Sequence, residues 1–210
     1  LSIGMDLSDA QAPGKVYDIV SRQRPEAEVE VLINNAGMLH AMHFRNMAPE
    51  KISSIIMVHN HATAMLCRYF LPAMLERHRG YILNISSLAA WFPFPFLTTY
   101  ASTKSFIRIF TRALRTECQK TGVKVCSIYF GAVDTPLIGL PPKLSRLARH
   151  IGVMIRPETA AKKALDMMFR GRSGRIPGFV NKIGWLFAPL IRPWIFGPIE
   201  RKVTKKWNLR

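Results

Sequence analysis

The sequence predicts an α/β domain: a parallel sheet with helices on both faces. Three observations predict it. Short apolar runs alternate with longer helical patterns through most of the 210 residues. The runs are apolar throughout, as strands are when both faces of a sheet are covered. The unusual polar residues fall just past the runs, at Asp6, at 34–37, at Ser86 and Ser87, and at 131–135. Sheets of this kind place ligands outside the carboxyl ends of their strands.

In chain order, residues 1–5 read as the tail of a strand, and Asp6-Leu7-Ser8 as the turn leaving it. Residues 8–24 suit a helix with an Asp/Ser start. VEVLI at 29–33 is a short strand running into the turn sequence Asn34-Asn35-Ala36-Gly37. Residues 47–76 form a long helical pattern, with Pro49 suited to its first turn and Gly80 closing it. YILNI at 81–85 is a strand. Residues 98–120 predict a second long helix closed by Gly122, followed by the strand VKVCSIY at 123–129. Residues 157–169 predict a helix with Glu158 near its positive end, and 175–177 a last short strand.

The length suffices for one domain with a real core, and 49% hydrophobic residues is ordinary for a globule. Cys67, Cys118 and Cys126 are odd in number and lack C-x-x-C spacing. Buried free thiols in a reducing compartment are expected. Residues 1–13 lack the basic, apolar and small-residue regions of a signal peptide, so the expectation is a cytoplasmic protein, or one peripheral at a membrane. The net charge of +17 is uneven: residues 1–140 carry 14 basic and 10 acidic side chains, residues 141–210 carry 16 and 3. The last third therefore suits an anionic surface or an anionic substrate group.

Tyr100-Ala-Ser-Thr-Lys104 places a phenol and an ammonium one turn apart on one helical face. An ammonium there favours the phenolate and is expected to lower the tyrosine pKa, making a general acid/base. The spacing alone also describes two residues of a surface helix. Ser87, 13 residues before Tyr100, ends a strand, where its hydroxyl can polarise a carbonyl. Asn60 sits in an apolar helix, and a buried amide needs partners.

This combination resembles the short-chain dehydrogenase/reductase family. The resemblance rests on Asn34-Asn35-Ala36-Gly37, Asn60, the Ser87–Tyr100 spacing, Lys104, and Gly131-Ala132-Val133-Asp134-Thr135. It covers Asp6 to about Thr135. The stretch NISSLAAWFPFPFLTTYASTK is most similar to the branch with 17-beta-hydroxysteroid dehydrogenases and long-chain 3-oxoacyl reductases. It implies a Rossmann-type doubly wound fold and an NAD(P)-dependent oxidoreductase. Tyr100 would protonate the nascent alkoxide, with Lys104 lowering its pKa and binding the nicotinamide ribose. Ser87 would orient the carbonyl, and Asn60 would hold the water linking Lys104 to solvent. Asp6 and Leu7 match the residues beside the adenine, and Asn34, Ala36 and Gly37 the turn beside the cofactor. Gly131, Val133 and Thr135 belong to the segment beside the nicotinamide, with Thr135 on the carboxamide. The cofactor is NADP or NAD, with a slight preference for NADP; its determinants would lie largely ahead of Asp6. A homodimer or homotetramer is implied as well.

Two departures stand out. The family places a strand, a Gly-rich TGxxxGxG turn, a helix and a second strand ahead of Asp6, and Gly4, Gly14 and Gly37 lie too far apart to make that turn. The domain is thus read as lacking its first βαβ portion, ~30 residues or more. Phe130 stands where the family usually has proline, which leaves that backbone freer.

On the substrate side, Trp91, Phe92, Phe94 and Phe96 between Ser87 and Tyr100 predict an apolar pocket for a hydrophobic carbonyl compound, steroid-like or long-chain acyl. Half of them would pack the loop instead. Residues 136–156 read as a substrate-covering segment, with Leu144, Leu147, Ala148 and Ile151 on an apolar stripe and Lys143, Arg146 and Arg149 on a basic one. That suits a coenzyme A phosphate or a phospholipid. The reductase domain is read as 1–178, and 179–210 as a basic, aromatic helical extension. Lys182, Arg192, Pro189, Pro193 and Pro198 interrupt the extension, so it is no ordinary transmembrane helix. Trp185, Trp194 and Trp207 suit an interfacial segment on an anionic membrane; a cap over the pocket or an oligomer contact reads equally well.

Two signals are discounted. His40/His43 and His59/His61 lack the spacing of a metal site. No helix-turn-helix, zinc-finger or aromatic RNA-binding motif accompanies the charge, so nucleic acid is not expected as a partner. The alternative to an enzyme is a non-catalytic module whose basic tail binds membrane. Without the diphosphate turn, this chain is expected to bind nicotinamide dinucleotides weakly or not at all; tight binding in calorimetry would contradict that.

Overall fold

The computed structural model describes residues 2–23, 25–137 and 142–187. Its centre is a four-stranded parallel sheet in the order β1-β2-β3-β6, formed by Val31–Asn34 (β1), Gly80–Ser87 (β2), Val123–Phe130 (β3) and Gly174–Arg175 (β6). The registers Val31↔Tyr81, Ser87↔Phe130 and Ile128↔Arg175 bring the carboxyl ends of the three longer strands together. A second, two-stranded parallel sheet pairs Ala132–Val133 (β4) with Met154–Ile155 (β5). No sequence signal marked these two-residue strands.

Helices cover both faces, as a parallel sheet requires. Ala12–Gln23 (α1), Ala62–Glu76 (α3) and Thr98–Glu117 (α4) lie on one face. There Cys67, Phe70 and Met74 of α3, spaced for one helical stripe, pack on Ile82 and Val125, with Tyr17 of α1 and Leu114 of α4 against them. On the other face Ala164, Met167 and Met168 of Pro157–Phe169 (α6) meet Leu83, Cys126 and Ile128. Neighbours such as Ile82 and Leu83 thus serve opposite layers, following the period of two in a strand. All three cysteines are buried and free. Pro49–Ile56 (α2), Pro142–His150 (α5) and Phe179–Phe187 (α7) complete the helices.

Several boundaries differ from expectation. Residues 2–6 join no ladder, and β1 has β2 as its one ladder neighbour among the described residues. The expected helix 8–24 begins at Ala12, because Asp6 Oδ1 and Asp9 Oδ1 accept the amides of Ser8 and Gln11, each at 2.9 Å. Such Asx turns compete with helix. The long pattern 47–76 is two helices separated by a π-turn, Met57–His61. Gly80 does not close it: the helix ends at Glu76, His78 takes a φ of 53°, and Gly80 opens β2. A Cβ on Gly80 would lie 2.6 Å from Met74 Cγ, so glycine here admits the core. The helix expected over 98–120 stops at Glu117.

Residues 188–210, including Pro189, Arg192, Pro193, Trp194, Pro198 and Trp207, lie outside the described residues, as do 138–141. Among the described residues no helix is long and apolar enough to cross a membrane.

Gly122, with a φ of +87°, closes the turn between α4 and β3, and a Cβ there would lie 1.8 Å from the His78 carbonyl oxygen. Gly122→Ala is therefore expected to destabilise the chain by roughly 3 kcal/mol, read from urea unfolding.

Candidate active site

The carboxyl ends of β1, β2 and β3 meet the first turns of α4. Among the buried residues of α4, Ala101, Lys104, Ile107 and Thr111 recur at helical spacing and turn this face onto β2. Two hydrogen bonds fix the docking: Ser86 Oγ donates to the Lys104 carbonyl at 2.9 Å, and Lys104 Nζ donates to the Ile85 carbonyl at 3.0 Å. Tyr100, one turn earlier, thereby reaches the strand end. Its hydroxyl shares a hydrogen bond with Ser87, and Lys104 Nζ lies 5.7 Å from the centre of its ring. The structure thus brings Ser87, Tyr100 and Lys104 together.

Ser87 is held on three sides. Its Oγ accepts from the Ala89 amide at 3.1 Å, capping the short 3-10 helix Leu88–Trp91, and donates to the Phe130 carbonyl at 3.3 Å. Phe130 stays in the β3 ladder opposite Ser87, so the residue in place of proline continues the strand.

The electrostatics correct one expectation. The net shift of the Tyr100 pKa is upward, not downward. Burial raises the tyrosine pKa, and the Ser87 hydrogen bond opposes that only in part. Lys104 itself is 4% exposed, and burial pulls its pKa down to about 8. Taking an ammonium out of water costs more here than one carbonyl returns.

Asn60 falls in the π-turn, and its Oδ1 is buried with no hydrogen-bond partner among the described residues. The side chain that meets the site from this turn is its neighbour His59, fully buried. The Met38 amide donates to His59 Nε2 at 3.0 Å, and His59 Nδ1 bonds Thr103 Oγ1 at 2.8 Å. Its ring lies edge-on to Tyr100 at 5.8 Å. The sequence reading set His59 aside with the other histidines. An imidazole within an otherwise apolar helix was the available signal.

The other predicted residues spread around this centre. Asn34 turns into the domain: its Nδ2 donates to Asn84 Oδ1 at 2.8 Å and Cys67 Sγ at 3.4 Å, tying β1 to β2. Ala36 and Gly37 are exposed, yet a Cβ on Gly37 would come 3.1 Å from His59 Nε2 and 3.7 Å from Lys104 Nζ. That backbone lies against the site. A Cβ on Gly131 would meet Asn181 of α7 at 2.6 Å, so α7 packs over the end of β3. Val133 lies in β4, and the Thr135 amide donates to its carbonyl at 2.8 Å. Asp6, in an exposed turn, accepts from both the amide and the hydroxyl of Ser8, which hold its carboxyl pKa below the usual value. Leu7 beside it is half-buried.

Of the loop aromatics, Trp91 and Phe92 pack inward. Trp91 meets Tyr129 edge-on at 4.5 Å and lies 5.0 Å under the Arg108 guanidinium, and Phe92 is buried. Phe94 and Phe96 remain half-buried, Phe96 edge-on to His43. Arg149, expected on a free basic stripe, is instead ion-paired with Asp134 beside Thr135. A surface cavity lined by Tyr17, Val20, Phe70 and Arg77 contains none of these site residues.

Because the folded-state value of Lys104 lies below that of a free lysine, the unfolded chain binds the extra proton between about pH 8 and pH 10.5. Stability should rise through that window, and the penalty is fully present below it. Lys104→Met is expected to stabilise the chain at neutral pH by up to about 3 kcal/mol, and by less at pH 10, in urea unfolding.

A short chain dehydrogenase family profile matches residues 1–140. The chain is 31% identical over 161 residues to a very-long-chain 3-oxoacyl-CoA reductase of Laccaria bicolor, covering 75% of this chain and 45% of that protein. It is 30% identical over 148 residues to estradiol 17-beta-dehydrogenase 2 of Rattus norvegicus, covering 70% of this chain and 39% of that one. The chain thus spans about half the length, or less, of these relatives. A short-chain dehydrogenase from Sphingobium yanoikuyae, solved with NADPH, superposes with a TM-score of 0.70 at 24% identity, over 82% of this chain and 65% of that one. With the strand-end serine, the helical tyrosine and the buried lysine converging as they do, the chain belongs to the short-chain dehydrogenase family.

Proposed function

We propose that the chain carries the proton-transfer site of an NAD(P)H-dependent reductase acting on a hydrophobic ketone, of the steroid or long-chain 3-oxoacyl class. The observation that carries this reading is the pairing of the Tyr100 and Ser87 hydroxyls, with the buried Lys104 Nζ 5.7 Å from the centre of the Tyr100 ring. Burial keeps Tyr100 protonated near neutrality, the state a proton donor needs. Tyr100 passes its proton to the ketone oxygen as charge develops there. Ser87, its Oγ held by the Ala89 amide, turns its one proton from the Phe130 carbonyl to that oxygen and so orients it. The Lys104 ammonium stabilises the phenolate left behind, and in the reverse direction that phenolate takes the alcohol proton.

The residues fit a nicotinamide dinucleotide on two counts: the Gly37 backbone lies open at the site's edge, and Lys104 offers a fixed ammonium beside it. Lys104 would hold the nicotinamide ribose, Asn34, Ala36 and Gly37 the turn alongside, Gly131, Val133 and Thr135 the nicotinamide, and Asp6 and Leu7 the adenine. When bound, the cofactor supplies the hydride to the carbonyl carbon. The substrate class follows the names of the two relatives and the half-buried Phe94 and Phe96 in the loop between Ser87 and Tyr100.

The assay is oxidation of NADPH and NADH in parallel, with 3-oxoacyl-CoA and steroid ketones. Tyr100→Phe should lower turnover by about 10²–10⁴-fold with an unchanged circular dichroism spectrum. Equal rates would leave the non-catalytic module as the reading.

A second reading concerns the surface beyond the site. Leu147 and Ile151 at the end of α5, and Val180, Ile183, Trp185 and Leu186 on α7, are exposed. The two helix ends adjoin, since a Cβ on Gly152 would lie 3.7 Å from Val180 Cγ2. Exposed Lys143, Arg146 and Lys182 accompany them. Apolar side chains ringed by cations suit the interface of an anionic membrane. The chain should float with phosphatidylserine liposomes and not with neutral ones, and a Trp185→Glu, Leu186→Glu variant should stay in the dense fraction. Phe106 and Ile109, exposed on α4, support a homodimer or homotetramer through that helix.

A further inference from the structure

Hydrogen-bond direction fixes the state of the His59 imidazole. The Met38 amide can only donate, so Nε2 accepts. Thr103 Oγ1 spends its proton on the Tyr100 carbonyl at 2.8 Å, so it must accept from His59, and Nδ1 carries the hydrogen. The result is one directed chain: Met38 amide to imidazole, imidazole to Thr103 hydroxyl, hydroxyl to the Tyr100 carbonyl. It spans the whole site, from the turn after β1 to the turn of α4 that contains both Tyr100 and Lys104.

We propose that His59 is a positioning residue whose neutral, Nδ1-protonated imidazole clamps the cofactor-side turn at Gly37–Met38 to the Tyr100 turn of α4. The proposal rests on the proton-transfer reading above and adds the residue that sets the distance between its two halves. Four features support it. His59 is fully buried. Tyr100 stands edge-on against the ring at 5.8 Å. A Cβ on Gly37 would crowd Nε2 at 3.1 Å, so glycine lets this turn close on the ring without displacing it. The π-turn Met57–His61 supplies the extra residue that aims His59 at the site. A second ring proton would face the Met38 amide, donor against donor. Burial and the nearby Lys104 accordingly bring the imidazole pKa down to about 3.

Two substitutions each keep one half of the clamp. In His59→Asn the amide nitrogen replaces Nδ1, so the bond to Thr103 survives and Met38 is released. In His59→Gln the amide oxygen replaces Nε2, so Met38 stays bound and Thr103 is released. The readout is steady-state reduction by the whole chain with the cofactor and ketone that the wild type uses. His59→Asn should raise the KM for cofactor roughly tenfold and leave kcat within about threefold; His59→Gln should lower kcat roughly tenfold and leave that KM within about threefold. A merely structural histidine would move both parameters together. Joint movement, no movement or a reversed split overturns the proposal.

A wild type that reduces no ketone bears on the functional reading and on the expected weak hold on the dinucleotide, not on the clamp. Amide exchange then decides the clamp: Met38 should exchange faster in His59→Asn and stay protected in His59→Gln, and equal protection overturns it. Should neither variant fold, the wild-type imidazole nitrogen spectrum decides, expected as the neutral Nδ1–H tautomer across about pH 5 to 8; an Nε2–H tautomer or a titrating ring overturns the proposal.

Discussion

The geometry of the candidate site hangs on the docking of α4 against the end of β2. At the strand end, two side chains make that contact polar. Ser86 takes the Lys104 carbonyl, and Lys104 takes the Ile85 carbonyl. Each unites a helix with a strand end, so the first turn of α4 has one allowed height over the sheet. Tyr100 and Ser87 meet because of it. The arrangement also carries a cost: an ammonium held away from water, with its pKa drawn down to about 8. A domain tuned only for stability would place an apolar residue at this position.

A second polar seam runs beneath the site and explains how the sheet end keeps its shape. Asn34 Nδ2 donates to Asn84 Oδ1, and Asn84 Nδ2 donates to Thr111 Oγ1 at 2.9 Å. Thr111 in turn donates to the Ile107 carbonyl at 2.7 Å. Asn84 and Thr111 are buried, and every step in the chain has a partner, so the seam specifies register without leaving an orphan group. It joins β1, β2 and α4, the same elements that His59 and Lys104 join one layer above. The two seams make the strand ends a rigid floor. The aromatic loop over 91–96 and the helices α5 and α7 surround it.

Much of the fold was legible because strand and helix periods differ. The strands VLI, YILNI and VKVCSIY and the helix Pro157–Phe169 announce themselves by composition and by their stops. Local chemistry overrode periodicity at the edges. Asp6 and Asp9 each captured a backbone amide and delayed α1 to Ala12. Residues 2–6 read as strand from their side chains, but a strand is defined by its neighbour, and these residues have no ladder. Arg149 looked free on a basic stripe until the fold set Asp134 beside it.

The sequence by itself determined the alternation of elements, the parallel sheet and the candidacy of Ser87, Tyr100 and Lys104, because these depend on spacing along a single strand or helix. Tertiary structure alone decided which side chain of the HNH stretch meets them. Neighbouring helical residues point about 100° apart, and the π-turn shifts that phase by an amount no linear pattern records. It also decided the sign of the tyrosine pKa shift, since a charge one turn away is read from sequence, whereas the burial that outweighs it exists only once the layers close.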